Sequence, residues 1–151
     1  MSAEIREKRL PEREGVLFLI YKDGKVLLEE RLHPDKAYLG YTIIPGGKFD
    51  KDKDRNHDDA VRREVKEECG VGITEMFLLD RFLQTTISNH LYNVSAYLIL
   101  GVDGEVANME GKSGHLWVDL NEAHKHVSFA DSRYILLLAK QHLIGIKPLG
   151  D

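Results

Sequence analysis

A chain of 151 residues, 42% hydrophobic and 30% charged, is long enough to bury a sizeable core and has the composition of an ordinary globular protein. A net charge of −4 without a basic block argues against an extended nucleic-acid surface, and no apolar run approaches the roughly 20 residues of a membrane span. The single cysteine, Cys69, excludes an internal disulfide and indicates a reducing compartment, so we expect a cytoplasmic protein.

The first third of the chain predicts three strands. The runs 15–21 and 25–31 flank Asp23-Gly24, a pattern typical of a β-hairpin. A third β-branched run, 41–44, stops at Pro45-Gly46-Gly47, where we expect a turn.

A helix is predicted after the lysine- and aspartate-rich loop 48–55. Asn56 is a suitable N-cap, and Asp59 three residues later gives a start that resembles a capping box. The helix is expected to reach Cys69 and to end at Gly70, because glycine readily adopts the left-handed conformation that closes a helix.

The second half of the chain predicts more strands and a final helix. Strands are expected at 75–86, 91–100 and 115–118, and helices at 120–126, capped by Asp119, and from Asp131 or Ser132 onward. No repeat, low-complexity tract or long linker divides the chain. We therefore expect one domain over 15–151, preceded over 1–14 by an N-terminal extension or edge segment, with no signal peptide.

Three glutamates of the first helix fall on one side of it. With about 100° per residue, Glu67 lies about 60° to one side of Glu64 and Glu68 about 40° to the other. An adjoining stripe is apolar and is expected to face the core: Val61, Val65 and Cys69. A solvated acidic face is the plain interpretation, but like charges three and four residues apart repel each other. A hard divalent cation would remove this repulsion and use the carboxylates as ligands.

The surrounding residues favour the metal-binding interpretation. A strand, a Gly-Gly turn, a loop and an acidic helix closed by glycine together resemble the Nudix hydrolase family. The family motif reads Gly, five residues, Glu, seven residues, Arg-Glu-apolar-any-Glu-Glu-any-Gly-apolar, and Arg63 to Val71 matches its second half at every position. The resemblance covers about residues 15–144 and implies an α/β fold with a mixed β-sheet sandwiched between α-helices.

The first half of the motif departs from the family pattern. The interval from Gly47 to Arg63 is two residues longer than in the family, and the isolated glutamate has no clear counterpart. Alignment back from the helix brings Arg55 to that position, with Asp54 beside it as the candidate replacement.

The resemblance also implies roles for the matching residues. Glu64, Glu67 and Glu68 are expected to bind Mg²⁺, or Mn²⁺ as the alternative ion, with help from the carbonyl of Gly46. Arg63 is expected to orient a glutamate of the motif through an ion pair. Bound metal would activate the attacking water, and one carboxylate would remove its proton.

The general base and the substrate contacts stay open at this stage. The base is either a glutamate of the motif, such as Glu67 or Glu64, or Glu110 in the glycine-flanked loop before the last strand, for which a solvated loop residue is an equal alternative. Arg31 and Lys48 resemble positions that contact substrate phosphate, and plain surface cations are the alternative.

The expected activity is Mg²⁺-dependent hydrolysis of a diphosphate linkage in a nucleoside diphosphate joined to another group. Nucleoside triphosphates, dinucleoside polyphosphates or capped RNA, and nucleotide sugars are the candidate substrates. The alternative is a non-catalytic module of the same fold that binds a nucleotide. The expected partner is thus a small nucleotide, with no membrane, and a homodimer is left open.

Overall fold

Seven strands, two α-helices and one 3-10 helix make up the described part of the protein, residues 9–34, 38–111 and 113–145 of a computed structural model. The strands are β1 (Arg13–Lys22), β2 (Lys25–Glu30), β3 (Thr42–Ile43), β4 (Gly46–Lys48), β5 (Ile73–Thr85), β6 (Leu91–Val102) and β7 (Gly114–Asp119). The helices are α1 (His57–Cys69) and α2 (Ala130–Ile144), with the 3-10 helix over Ala123–Lys125. Among these residues, no helix is both long and apolar enough to cross a membrane.

The sheet is mixed, and β1 is its central strand. β1 runs parallel to β6 and antiparallel to both β2 and β4, while β5 is antiparallel to β6 and forms an edge. β2 is flanked by β3 and β7, both antiparallel to it.

Each face of the sheet is covered by one helix. Side chains of β1 alternate between the faces, so that Phe18 packs with the α1 residues Val61 and Val65, and Leu19 packs with the α2 residues Ile135 and Leu136. The predicted α/β architecture, a mixed sheet between helices, is therefore confirmed.

Local sequence signals set the ends of the first hairpin and of α1. Asp23 and Gly24 both adopt positive φ (51° and 79°), as the two-residue turn requires. The Asn56 side chain accepts the Asp59 N–H at 2.9 Å, and Gly70 closes α1 in the left-handed conformation with φ 72°. The predictions for this hairpin and this helix are confirmed.

The start of α1 is also fastened to the sheet by side chains. His57 lies between Ser95 of β6 (Nδ1 to Oγ, 2.5 Å) and Glu14 of β1 (Nε2 to Oε1, 3.1 Å), and Tyr97 donates to Asp58 at 2.6 Å. Ser95 is completely buried, so this Ser-His-Glu chain is an anchor of the helix and not a nucleophile. The anchoring fixes the direction in which α1 presents its acidic side.

Three local predictions were wrong. Gly46 and Gly47 form strand β4 with β1 and not a turn, because their extended backbones complete the ladder beside Val16 and Leu17. The predicted helix 120–126 is one 3-10 turn, since Asp119 accepts the Asn121 N–H and bends the chain instead of capping a helix. The last helix begins at Ala130, without a side-chain cap.

Candidate active site

Helix α1 separates its side chains as the wheel predicts. Val61, Val65 and Cys69 are completely or almost completely buried in the core. Glu64 lies at the edge of that core and is 9% exposed, whereas Glu67 is exposed and Glu68 is intermediate. The acidic side of α1 therefore runs from a buried carboxylate to a solvent-facing one within a single turn.

Arg63 connects this acidic side to the loop before the helix. Its Nε and Nη2 donate to the two oxygens of Asp54 at 2.9 and 2.8 Å, and Nη2 also donates to the carbonyl of Lys48 at 3.0 Å. Its Nη1 donates to Glu64 Oε1 at 3.0 Å and reaches Glu67 at 3.3 Å. One guanidinium thus fixes the positions of two carboxylates of the helix.

Asp54 is the buried partner of Arg63, and the arginine's hydrogen bonds hold the pKa of that carboxyl below its usual range. The loop folds back on itself to bring it inward: the Asp54 N–H donates to the Asp50 carbonyl, and the Asp50 N–H donates to Asp54 Oδ2. Arg55 points outward and pairs with Asp59. In this longer loop Asp54, and not Arg55, therefore faces the helix.

Gly46 and Gly47 allow the strand to pass directly against its neighbours. A Cβ on Gly47 would lie 2.0 Å from the carboxyl carbon of Glu64, and one on Gly46 would lie 2.2 Å from the carbonyl oxygen of Val16. A side chain at Gly46 would collide with backbone, and one at Gly47 would displace the Glu64 carboxylate. The Glu64 carboxylate therefore rests on bare backbone, in a cradle that a side chain would fill.

The electrostatics of this region are those of crowded carboxylates. Burial raises the pKa of Glu64, with further upward contributions from the charges of Glu67 and Glu110 and an opposing contribution from Arg63. Burial also raises the pKa of the Cys69 thiol to about 12, helped by the negative charges of Glu68, Glu29 and Glu110. Glu67 and the loop residue Glu110 thus act on Glu64, and Glu29 of strand β2 acts with Glu68 and Glu110 on the Cys69 thiol.

The loop that carries Glu110 is tied to the end of α1. The N–H groups of Ala107 and Met109 donate to the carbonyls of Cys69 and Glu68, both at 3.0 Å. Met109 packs so closely on Gly70 that a Cβ there would meet its sulfur at 2.9 Å. Glu110 itself is exposed and follows directly after these contacts, which puts it on the acidic side of the helix.

A cavity of about 480 Å³ opens beside the glycine strand. Its volume falls in the range of about 300–1,000 Å³ that is usual for small-molecule sites. Arg31 and Lys48, both predicted from sequence to contact substrate, lie in its wall next to Gly46 and Gly47. The wall also contains three aromatic rings and a polar pair in which Gln84 donates to Asp131: Tyr38, Tyr92, Phe129, Gln84 and Asp131.

The donor set of the acidic side suits a hard cation, because it consists of carboxylate and backbone oxygens. Within residues 9–34, 38–111 and 113–145, no three Asp, Glu, His or Cys side chains already converge into a cation site. Glu67 is exposed and would have to turn toward the cation. Glu64, in its glycine cradle, is already held in place.

A scan against models of known families matches the NUDIX domain over residues 11–138, which is most of the chain. The chain belongs to the NUDIX family. This confirms the resemblance carried by Arg63 to Val71, and it makes the protein a Nudix hydrolase, an enzyme of the pyrophosphohydrolase class.

One relative found by sequence and two solved structures are similar to this chain. The 8-oxo-dGTP diphosphatase of Proteus vulgaris is 28% identical over 113 residues, which cover 73% of this chain and 95% of that protein. The MutT NUDIX hydrolase of Burkholderia pseudomallei superposes with a TM-score of 0.70 at 24% identity, covering 86% and 98% of the two chains. The NUDIX domain of Shewanella oneidensis NrtR, solved with ADP ribose, gives 0.71 at 19% identity over 89% and 90%.

Two acidic residues of this Nudix hydrolase were missed or undervalued from sequence. Glu29 is buried at the end of β2, and its signal was the alternation of the strand, which gives Glu29 the same face as Leu27. Asp54 was only a candidate, and the sequence offered no signal for its pairing because the loop's turn decides which side chain faces α1.

Proposed function

We propose that this Nudix hydrolase uses Mg²⁺ or Mn²⁺ to hydrolyse a diphosphate linkage in a nucleoside triphosphate, including oxidised forms. The observation that carries the proposal is the position of the cavity, whose wall includes Gly46, Gly47 and Lys48 beside the Glu64 carboxylate. A nucleotide whose nucleobase lies in the cavity would extend its phosphates along strand β4 toward the acidic side of α1. The name of the Proteus vulgaris relative supports the triphosphate class.

The residues around Glu64 fit a divalent cation. Glu64, Glu67 and Glu68, with the carbonyl of Gly46, would hold it, since all four supply oxygen ligands. When bound, the cation offsets the phosphate charge and lowers the pKa of the attacking water. The bare backbone of Gly47 supports this assignment because it leaves room for the Glu64 carboxylate beside the strand, and Arg63 holds that carboxylate at 3.0 Å.

Other residues of the chain would position the substrate and the carboxylates. Arg63 holds Glu64 and reaches Glu67, so we propose that it orients these ligands and does not touch the substrate. Arg31 and Lys48 face the cavity and would contact the phosphates. Tyr38 and Phe129, whose rings are 5.4 Å apart in an edge-to-face arrangement, offer apolar surface for a base.

Two carboxylates are candidates for the general base, Glu67 and Glu110. Glu67 is exposed at the end of the Arg63 network, and Glu110 lies on the loop fixed to the last turn of α1. Replacing the true base by glutamine should lower kcat at all pH values and remove the acidic limb of the kcat profile. The same replacement of the other carboxylate should leave that limb in place.

Activity on a substrate panel tests the proposed function. The purified protein with Mg²⁺ would be incubated with nucleoside triphosphates, 8-oxo-dGTP, dinucleoside polyphosphates and ADP-ribose, and phosphate measured with and without added phosphatase. We expect turnover of a triphosphate that falls at least about a hundredfold in Glu67→Gln. Glu105→Gln is the matched control, because Glu105 is exposed and only approaches Lys22 at 4.0 Å.

Two results would contradict the proposal in different ways. No turnover of any substrate, unchanged by Glu67→Gln, would favour a non-catalytic nucleotide-binding module. The NrtR domain, which was solved with ADP ribose, makes direct binding of ADP-ribose the measurement for that alternative. Turnover that survives both Glu67→Gln and Glu68→Gln would refute the metal site proposed on α1.

The cellular setting follows from the same proposal. We propose a cytoplasmic enzyme, in which the buried Cys69 stays a thiol, acting on free nucleotides and without an extended nucleic-acid surface. Fractionation of cells that express the full chain tests the location. Light scattering tests whether the protein is a monomer or a homodimer.

A further inference from the structure

Glu29 is a buried carboxylate that its surroundings leave partly unsatisfied. The residue is 5% exposed, and its Oε2 atom is inaccessible to solvent with no hydrogen-bond partner among the described residues. An ionised carboxylate oxygen buried without a partner is costly, and native structures nearly always supply a protein group, a water or an ion to it. Glu29 Oε2 is therefore available to accept a hydrogen bond or to bind a cation.

Glu29 forms an ion pair with Arg31, but the contact is long. Arg31 Nη1 lies 3.4 Å from Glu29 Oε1, and Arg31 Nε is also buried without a hydrogen-bond partner in the described part of the chain. In the same protein, Arg63 and Asp54 form two parallel hydrogen bonds at 2.8 and 2.9 Å. Arg31 therefore neutralises Glu29 in part and does not close its coordination.

The topology directs Glu29 toward the acidic side of α1. Along β2, Glu29 shares its face with Leu27, which packs in the α1-side core beside Cys69. The loop carrying Glu110 is bonded to the Cys69 and Glu68 carbonyls, and the strand that follows it pairs directly with β2. Glu29 pairs with His115 on that strand, so it lies on the α1 side of β2, next to the strand that follows the Glu110 loop.

We propose that Glu29 is a further ligand of the divalent-cation site, binding the ion through Oε2 from strand β2, opposite the carboxylates of α1. This inference rests on the proposed function, since it adds a ligand to the cation that the reaction requires. An oxygen donor of this kind suits Mg²⁺ or Mn²⁺. With Glu29 bound to the ion, Arg31, which lines the cavity, would be available to contact a phosphate there.

Mn²⁺ binding to the protein without nucleotide tests the inference apart from activity. Titration calorimetry would compare the wild type, Glu29→Gln and Glu30→Gln, where Glu30 is the neighbouring glutamate on the opposite face of β2. We expect Glu29→Gln to bind Mn²⁺ about ten- to a hundredfold more weakly, a loss typical for a removed metal-site partner, and Glu30→Gln to bind within about twofold of the wild type.

Stability without metal separates a ligand from a simple partner of Arg31. With a chelator present, Glu29→Gln should unfold at about the same urea concentration as the wild type, because its ion pair with Arg31, at 3.4 Å, is long and contributes little. Unchanged Mn²⁺ affinity together with lower stability would overturn the inference and make Glu29 a structural partner. Glu29→Asp, which keeps the charge on a shorter stem, should also weaken Mn²⁺ binding, and normal affinity in it would equally overturn the inference.

The wild-type titration distinguishes failure of this inference from failure of the proposed function. A wild type that binds Mn²⁺, with an equal affinity in Glu29→Gln, contradicts only the role of Glu29. A wild type that binds no Mn²⁺ contradicts the cation-dependent function and the inference together.

Discussion

Two arginine–carboxylate pairs lie near the candidate active site, and they are built differently. Arg63 donates two hydrogen bonds to Asp54 at 2.8 and 2.9 Å. It also donates to Glu64, to Glu67 and to the Lys48 carbonyl. Arg31 Nη1 lies 3.4 Å from Glu29 Oε1, and among the described residues neither Arg31 Nε nor Glu29 Oε2, both buried, has a hydrogen-bond partner.

The difference separates a fixed part of the site from an open one. A buried pair with all its hydrogen bonds made resists rearrangement, because any movement exposes an unpaired charge. A buried pair with a free acceptor and a free donor can give both to ligands. We therefore interpret the Asp54 pair as the support of the acidic helix and the Glu29 pair as the part that changes when ligands bind.

The largest effect is expected when the closed pair is broken at Arg63. Arg63→Met leaves Asp54 buried without its cation, and should lower the free energy of unfolding by about 3–5 kcal/mol, measured by urea denaturation at pH 7. Activity should fall with it, because Glu64 and Glu67 lose the group that orients them.

Arg31→Met is the matched control for that change. It removes an arginine of similar burial from the open pair, and its effect on the unfolding free energy should stay below that of Arg63→Met by at least about 2 kcal/mol. Its expected effect is a raised KM for the triphosphate. Equal stability losses in the two variants would contradict the distinction between the pairs.

The second prediction concerns Gly47, which lies against the Glu64 carboxylate that Arg63 holds. Gly47→Ala brings a Cβ to 2.0 Å from the Glu64 carboxyl carbon, so that carboxylate must move. A displacement of about 1 Å in a catalytic group typically costs about a hundredfold in rate, and kcat should fall by about that factor. Gly104→Ala is the control, since its Cβ would make only an ordinary contact of 3.6 Å with Val71.

The third prediction is that the stability of the protein depends on pH through Asp54. Because Arg63 lowers the pKa of Asp54 in the folded state, the pair stabilises the protein above the unfolded pKa of about 3.9, and this stabilisation is lost as the pH falls through the lower folded value. Asp54→Asn should be less stable than the wild type by about 2 kcal/mol at pH 7. The difference should shrink in acid, and a constant difference down to pH 2 would contradict the assignment.

Local signals explain why α1 and its acidic side could be predicted from sequence. The Asn56 cap, the Gly70 end and the spacing of Val61, Val65 and Cys69 all act within one or two helical turns. The position of each carboxylate on the helix then follows from residue geometry. The strands around Asp23-Gly24 were predictable for the same reason, since a two-residue turn fixes their pairing.

Residues whose role depends on distant contacts escaped prediction. Arg55 occupies the family's glutamate position by counting, yet the backbone bonds between Asp50 and Asp54 turn the loop so that Asp54 faces Arg63. Glu29 belongs to a strand whose neighbours, β3 and β7, come from later parts of the chain. Its burial could be inferred from alternation along β2, but that Oε2 has no hydrogen-bond partner within residues 9–34, 38–111 and 113–145 depends on the packed structure.

The smallest effect is expected at His115, which pairs across the strands with Glu29. Burial lowers the pKa of His115, and the charge of Glu29 partly opposes that shift. In Glu29→Gln the pKa of His115 should therefore fall further, as measured by NMR titration of the metal-free protein, with His115→Asn used to assign the resonance. A folded pKa below the unfolded value of about 6.5 means that the unfolded chain binds more protons, so stability is lost as the pH falls through this window. This pH window should extend to lower pH in Glu29→Gln. An unchanged His115 pKa would mean that Arg31 already neutralises Glu29, so that the Arg31–Glu29 pair would be as fixed as the Arg63–Asp54 pair.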